Sequence, residues 1–161
     1  MGELSAFRES VVRAYGSVDK PDWGFVNDVV ARSPYGPLFD ELALRFSVED
    51  DTDINCDVSF TFLVTAERVL SLKLSMVGPY AVLLAVPSDD PDAPLQVISR
   101  LEECANDDER AVFQLVERHG FRILTAEELE TSTRFKLEDA DIVSLYRALF
   151  AFEGLLPWKP W

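Results

Sequence analysis

The sequence predicts an α+β fold, and three observations carry that prediction. Between residues 41 and 86, apolar side chains recur at every second position over three runs, and a fourth run is apolar throughout. Period-two alternation is the mark of half-buried strands, and a continuous apolar run suits a strand buried on both faces. Helical spacing of apolar residues flanks this stretch on both sides. The chain of 161 residues is 48% hydrophobic and 11% aromatic, enough to bury a core without disulfides or metal.

Taken in order, Leu4, Phe7, Val11 and Tyr15 share one face of a predicted helix over 3–15. Gly16 and Pro21 punctuate the chain, and Asp22 is placed to cap a second helix over 23–32. Ser33-Pro34 ends it, because a residue before proline avoids the α region. Leu42, Leu44, Phe46 and Val48 then alternate with Glu41, Ala43, Arg45 and Ser47, predicting a first strand. Val58, Phe60, Phe62 and Val64 predict a second, Leu70, Leu72, Leu74 and Met76 a third, and Tyr80 to Val86 the fourth. The links Ala66-Glu67-Arg68 and Val77-Gly78-Pro79 are short, as antiparallel hairpins require. The expectation is a four-stranded antiparallel meander over about 41–86, packed on one face by helices, with further helices at the N- and C-termini.

Residues 87–94 (PSDDPDAP) are a loop by composition. Leu95, Ile98 and Leu101 suggest a helix reaching Cys104. Asn106 or Asp107 caps a stronger one bearing Val112, Leu115, Val116 and His119, which Gly120 terminates. Phe121–Leu124 reads as a short strand. Thr125 and Glu128 have capping-box spacing for a turn of helix. Thr133–Leu137 reads as another strand, and a last helix opens at Asp139 or Asp141, with Ile142, Leu145, Tyr146 and Leu149 inward. No repeat or long linker divides the chain, so residues 1–161 read as a single domain.

Fifteen basic against twenty-nine acidic residues give a net charge of −14. Such a charge disfavours nucleic acid and anionic membranes as partners and draws cations over roughly a Debye length, ~8–10 Å. Cys56 and Cys104 lie far apart without paired-ligand spacing, so neither a zinc site nor a disulfide framework is indicated. Glu3, Arg8 and Glu9 interrupt any signal-peptide apolar region. Met76–Pro87 is too short and too broken to span a bilayer. A cytoplasmic protein is expected.

The charge is densest in Ser47–Asp57, SVEDDTDINCD, which holds five carboxylates and no cation. Asp51, Asp53, Asn55 and Asp57 stand two apart like early EF-hand ligands. That loop needs glycine at its sixth position and a bidentate glutamate at its twelfth, where this chain has Cys56 and Phe62. A second acidic loop, Asp89-Asp90-Pro91-Asp92, leaves the fourth strand at the opposite end of the expected sheet. Strands of this length separate the two loops by ~25 Å at roughly 3.3 Å per residue, so they share no ion. Neither metal nor cofactor is expected. Each aspartate alone reads as a polar turn residue; collectively they make a broad negative potential able to steer a basic protein.

No catalytic constellation accompanies them. The lone histidine, His119, sits at a helix end without a nucleophile at useful spacing. Cys56 and Cys104 lie among acids, which disfavour a thiolate. No nucleophile elbow, phosphate loop or dinucleotide fingerprint occurs, and an enzyme is not expected. Leu155–Trp161 places Trp158 and Trp161 between prolines. Such a tail either folds back over the core or anchors a partner through its indoles.

Size, acidity and the helix–meander–helix–strand–helix order resemble the small acidic α+β immunity proteins that bacteria pair with secreted polymorphic toxins. The closing helix Ile142-Val-Ser-Leu-Tyr-Arg-Ala-Leu-Phe, running into Leu156-Pro157-Trp158, is similar in style to C-termini of that group. The resemblance implies non-enzymatic binding of a basic toxin domain and occlusion of its active site. Type III secretion chaperones, acidic α+β dimers that bind an extended segment, are a second resemblance. For contact with a basic partner, the sequence singles out Asp50, Asp51, Asp53 and Asp57, with Asp89, Asp90 and Asp92 second.

Overall fold

A computed structural model describes residues 2–16, 22–55, 57–87, 92–133, 143–151 and 156–159, with the backbone alone over 2–5. The fold is α+β, built on an antiparallel meander with helices on both sides. Strands β1 (Ser47–Asp50), β2 (Ser59–Thr65), β3 (Val69–Ser75) and β4 (Tyr80–Ala85) pair in sequence order. Two short strands then share the outer edge of β4. β5 (Gln96–Val97) runs antiparallel to its end and β6 (Arg122–Ile123) parallel to its start. Every residue of β4 is buried, as its unbroken apolar composition requires.

Register assigns the faces. Phe62 lies opposite Leu72, and Leu72 opposite Leu83, so Phe60, Phe62, Leu72, Leu74 and Leu83 share one face. Helix α3 (Gly36–Ala43) covers it, with Phe39 edge-on to Phe62 at 5.0 Å between centroids. Tyr35, just before α3, is edge-on to Phe60 at 5.3 Å. Helix α4 (Asp107–Arg118) lies beside α3, and His119 Nε2 is 3.1 Å from Glu41 Oε1 between them. The other face carries Ser59, Ser75 and Tyr80. Helix α1 (Gly2–Tyr15) reaches it through Phe7, 4.9 Å from the Tyr80 ring. Helix α6 (Leu145–Leu149) offers the carbonyls at its C-terminal end, which need partners. Ser75 Oγ donates to Leu149 O at 2.6 Å, Ser59 Oγ to Phe150 O at 2.9 Å, and Tyr15 Oη to Ala148 O at 2.9 Å. Among the described residues no buried side-chain polar atom lacks a partner. Helix α2 (Phe25–Arg32) packs its Phe25 ring, with Trp23 ahead of it, against Tyr15.

Several expectations need correction. Helices cover both faces of the meander and not one, since α1 and α6 meet the face opposite α3. Residues 41–43 are the end of α3 and not a strand, so β1 begins only at Ser47. Gly36-Pro37 opens a helix that buries Leu38 and Leu42 four residues apart. Leu44, which a strand would have buried, is 85% exposed. The predicted helix over 95–104 is instead β5 followed by a 3₁₀ turn, Leu101–Glu103. The edge of buried β4 needs backbone partners, and Ile98 N donates to Leu83 O at 2.8 Å there. Asp22 accepts from Gly24 N at 2.8 Å and so shapes the turn before α2, whose N-cap, Gly24, has no side-chain cap. Elsewhere the local signals hold. Asn106 caps α4 by accepting from Glu109 N at 2.9 Å. Thr125 and Glu128 form both bonds of a capping box on α5 (Ala126–Glu130). β7 (Ser132–Thr133) pairs with β8 (Val143–Ser144), which runs directly into α6. The last helix, predicted to open at Asp139 or Asp141, is corrected as well: Val143–Ser144 is strand, and the helix starts only at Leu145, where Ser144 caps it. Residues 134–142, with most of the predicted strand 133–137 and Ile142, lie outside the described residues. Among the described residues no helix is long and apolar enough to cross a membrane.

Candidate partner-binding surface

The acidic loop is held by its own short side chains. Asp50 Oδ1 accepts from Thr52 N at 3.1 Å and from Thr52 Oγ1 at 2.6 Å, while Thr52 Oγ1 accepts from Thr61 N at 3.0 Å. Asp53 Oδ1 accepts from Asn55 N at 3.0 Å. These are the local side-chain-to-backbone turns that Asp and Thr favour. A backbone bond from Asp51 N to Thr61 O fastens the loop to β2, and one from Asp57 N to Asp53 O closes a turn within it, both at 2.8 Å. Glu49, Asp50, Asp51 and Asp53 stay exposed, and no cation pairs with Asp50, Asp51 or Asp53 among the described residues.

Asp57 is different. Its carboxylate is half-buried and lies 3.5 Å from Lys73 Nζ, which also donates to Thr61 Oγ1 at 3.0 Å. Lys73 faces the same side of the sheet as Thr61, its register partner, so Asp57 closes an ion pair over that face. Asp92 is exposed; Asp89 and Asp90 lie outside the described residues. The acidic loop precedes β2, whose start pairs with the end of β3, while β4 ends opposite Leu70. Asp50–Asp53 and Asp92 therefore belong to opposite ends of the meander. Among the described residues no three His, Cys, Asp or Glu side chains converge as metal ligands would.

Of the exposed carboxylates, Asp50 borders an open pocket of about 200 Å³. Asp50 contributes to its wall because it pairs with Phe62 across β1 and β2 and so projects toward the α3 side. Tyr35, Phe39, Phe60 and Phe62 supply the rest, with Ser33 and Gly36 at the α2–α3 turn. Tyr35 Oη donates to Ser75 O at 2.7 Å, and burial pushes its phenol pKa up, so the ring is neutral and fixed. A separate shallow cleft of about 400 Å³ lies beside His119, lined by Pro34, Pro37, Pro79 and Phe121. His119 is there the C-cap residue of α4, tied to Glu41.

A second cluster, which sequence reasoning missed, joins the β2–β3 hairpin to α4. Arg68 grips Glu109 with both arms, Nε to Oε2 at 2.9 Å and Nη2 to Oε1 at 2.7 Å, and its Nη1 donates to Gln96 Oε1 at 2.8 Å. Glu109 has no exposed side-chain surface, whereas Arg68 keeps 18% of its own. The Arg68 hydrogen bonds hold the Glu109 carboxyl below its ordinary range, against the opposing effect of burial. The thiol of Cys104, buried and free, is pushed up first by desolvation and then by Glu109. Asn106 at N-cap and Glu109 three residues on were the readable half of this network; Arg68 lies forty-one residues away.

The C-terminal tail folds back over Leu156–Lys159. Trp158 stands edge-on to Tyr146 at 5.1 Å, and its Nε1 donates to Glu130 Oε1 at 2.9 Å. Trp161 lies outside the described residues. Compared with known proteins, the chain matches no family model, no curated protein and no solved structure.

Proposed function

We propose that this chain is a non-enzymatic protein-binding domain, an immunity protein that acts in the cytoplasm and neutralises a basic toxin domain by covering its active site. The observation that carries this reading is the group Asp50, Asp51 and Asp53: exposed, without a cation among the described residues, and held in shape by Thr52, Asn55 and Thr61. Carboxylates already ordered before encounter lose little freedom on binding. A net charge of −14 adds long-range attraction for a basic partner.

The experiment first asks whether a neighbouring reading frame encodes a secreted protein with a basic C-terminal domain, and then measures association with that domain. Reversing Asp50, Asp51 and Asp53 to Lys lowers the association rate at low salt by at least ~10-fold, the lower end of electrostatic steering. It also flattens the dependence of that rate on ionic strength. Unchanged rates remove the steering mechanism.

One observation favours a second reading. Among the described residues β1 is the edge of the sheet, where an extended segment could add as a further strand. A secretion-chaperone role would follow, and it predicts a homodimer that binds its partner in extended form. A one-to-one complex with a folded basic domain decides against it.

A further inference from the structure

We infer that the pocket between α3 and β2 is a receptor for one guanidinium group, the side chain of an arginine on the basic partner. The inference rests on the partner being basic but names a specific point of contact. Size comes first. At about 200 Å³ the pocket is smaller than the ~300–1,000 Å³ typical of metabolite and cofactor sites, and it matches a single long side chain.

Its chemistry is selective. Tyr35, Phe39, Phe60 and Phe62 line it, and Asp50 is its one charged residue. Aromatic faces attract cations through their quadrupole, and a carboxylate beside them gives that attraction a direction. The Asp50 carboxylate is already oriented for such a contact. Thr52 occupies Oδ1 through two hydrogen bonds, while Oδ2 has no partner among the described residues. An aliphatic side chain would gain from the rings but would bury the free Asp50 oxygen unpaired, which is unfavourable. A guanidinium satisfies both, stacking its plane on a ring while donating to Oδ2, and it sheds water more readily than an ammonium.

The walls are preorganised. The edge-to-face pairs Tyr35–Phe60 and Phe39–Phe62 interlock, and the Tyr35 hydroxyl is bound to Ser75 O. Arg32, whose charge is felt at Tyr35, turns its Nε back to Asp28 O at 3.4 Å instead of occupying the pocket. Glu49, Asp51 and Asp53 adjoin Asp50 in the chain and concentrate cations at the entrance.

The test titrates Nα-acetyl-arginine amide into the isolated protein and follows the amide of Gly36 and the ring signals of Tyr35 and Phe39 by NMR. Nα-acetyl-leucine amide is the apolar control. Saturable shifts confined to the pocket, absent with the leucine analogue and weakened at least tenfold by Asp50→Asn and by Phe39→Leu, support the inference. Thermal melts first establish that both variants are folded. Equal shifts with the leucine analogue overturn it, since the pocket would then be merely apolar. So do shifts spread over the acidic surface that persist in Asp50→Asn. Failure here is separable from failure of the functional proposal. If Asp50→Asn binds the neighbouring basic domain as tightly as wild type while the triple reversal slows association, the pocket assignment falls and steering stands. If the arginine analogue binds but the basic domain does not, the pocket stands and the immunity reading falls.

Discussion

Replacing Arg68 by Ala tests whether the hairpin and α4 are joined by a charge pair that supports the fold. The substitution leaves Glu109, fully buried in the wild type, with only Ala105 N at 3.0 Å and Asn106 Nδ2 at 3.4 Å still donating among the described residues. Stripping one partner from a buried pair costs ~3–5 kcal/mol. The two surviving donors, and water reaching in where Arg68 was 18% exposed, place the expectation at the lower end, ~3 kcal/mol. For a chain of this size each kcal/mol lowers Tm by about 2–4 °C, so a fall of ~6–12 °C is expected by calorimetry. Glu109→Gln keeps the shape and strands Arg68 at the surface, so it costs less, ~2 kcal/mol. Its penalty also depends on pH in a defined sense. The folded carboxyl titrates below its ordinary value of about 4.5, so on acidification the unfolded chain takes up the proton first. The stabilisation is fully present above about pH 4.5 and is lost as pH falls through the depressed folded value. Urea melts of wild type and Glu109→Gln should therefore differ at neutral pH and converge as pH falls through that depressed value. An Arg68→Ala protein melting within ~1 °C of wild type, or a Glu109→Gln penalty flat with pH, would refute the account.

Two further outcomes follow from local geometry. Gly120 ends α4 at φ +90°, and a Cβ there would meet nothing within 4 Å. Gly120→Ala should then cost only the backbone strain of a left-handed residue, ~1–2 kcal/mol by urea denaturation; a neutral result would mean the helix end rearranges. Trp158→Phe removes the hydrogen bond that, with Lys159, holds the Glu130 carboxyl below its ordinary range. An NMR titration should find the Glu130 pKa raised in the variant, and an unmoved value would mean the tail does not dock there.

Local chemistry was legible in the chain and long-range chemistry was not. Thr125 and Glu128, three residues apart, announced a capping box that both of its bonds fulfil. The alternation through Phe60, Phe62, Leu72 and Leu74 gave two strands and their shared face, because period two has one structural meaning once flanking turns fix the length. Leu42, Leu44 and Phe46 show the limit of that argument. Their even spacing imitated a strand, whereas Leu38 and Leu42 carried the true period behind Gly36-Pro37. That misreading also concealed the pocket. A strand at 41–48 leaves no helix to bring Phe39 over Phe62, and the aromatic wall cannot be assembled. Arg68 and Glu109 were hidden for another reason: which arginine meets which glutamate depends on how hairpin and helix dock, and no spacing rule spans forty-one residues.

The fold also divides the aspartates that looked equivalent in the sequence. Asp50, Asp51, Asp53 and Asp57 formed one acidic run, yet their surroundings give them different work. Asp57 is half-buried against Lys73 and Thr61, so its charge is answered within the molecule. Asp50 is fixed at the pocket wall by Thr52, with one oxygen unpartnered among the described residues. Asp51 and Asp53 stand outside, one bonded through its backbone and the other through a side-chain turn. A net charge therefore overstates what a partner can use: a carboxylate already paired adds little to the external field, while an unpaired one in fixed geometry adds both attraction and orientation. Substitution at Asp57 should accordingly act through the sheet face it closes, and substitution at Asp50 through the partner. Under the proposed binding role, long-range attraction and specific contact separate along the loop, with Asp51 and Asp53 serving the first and Asp50 joining it to the second.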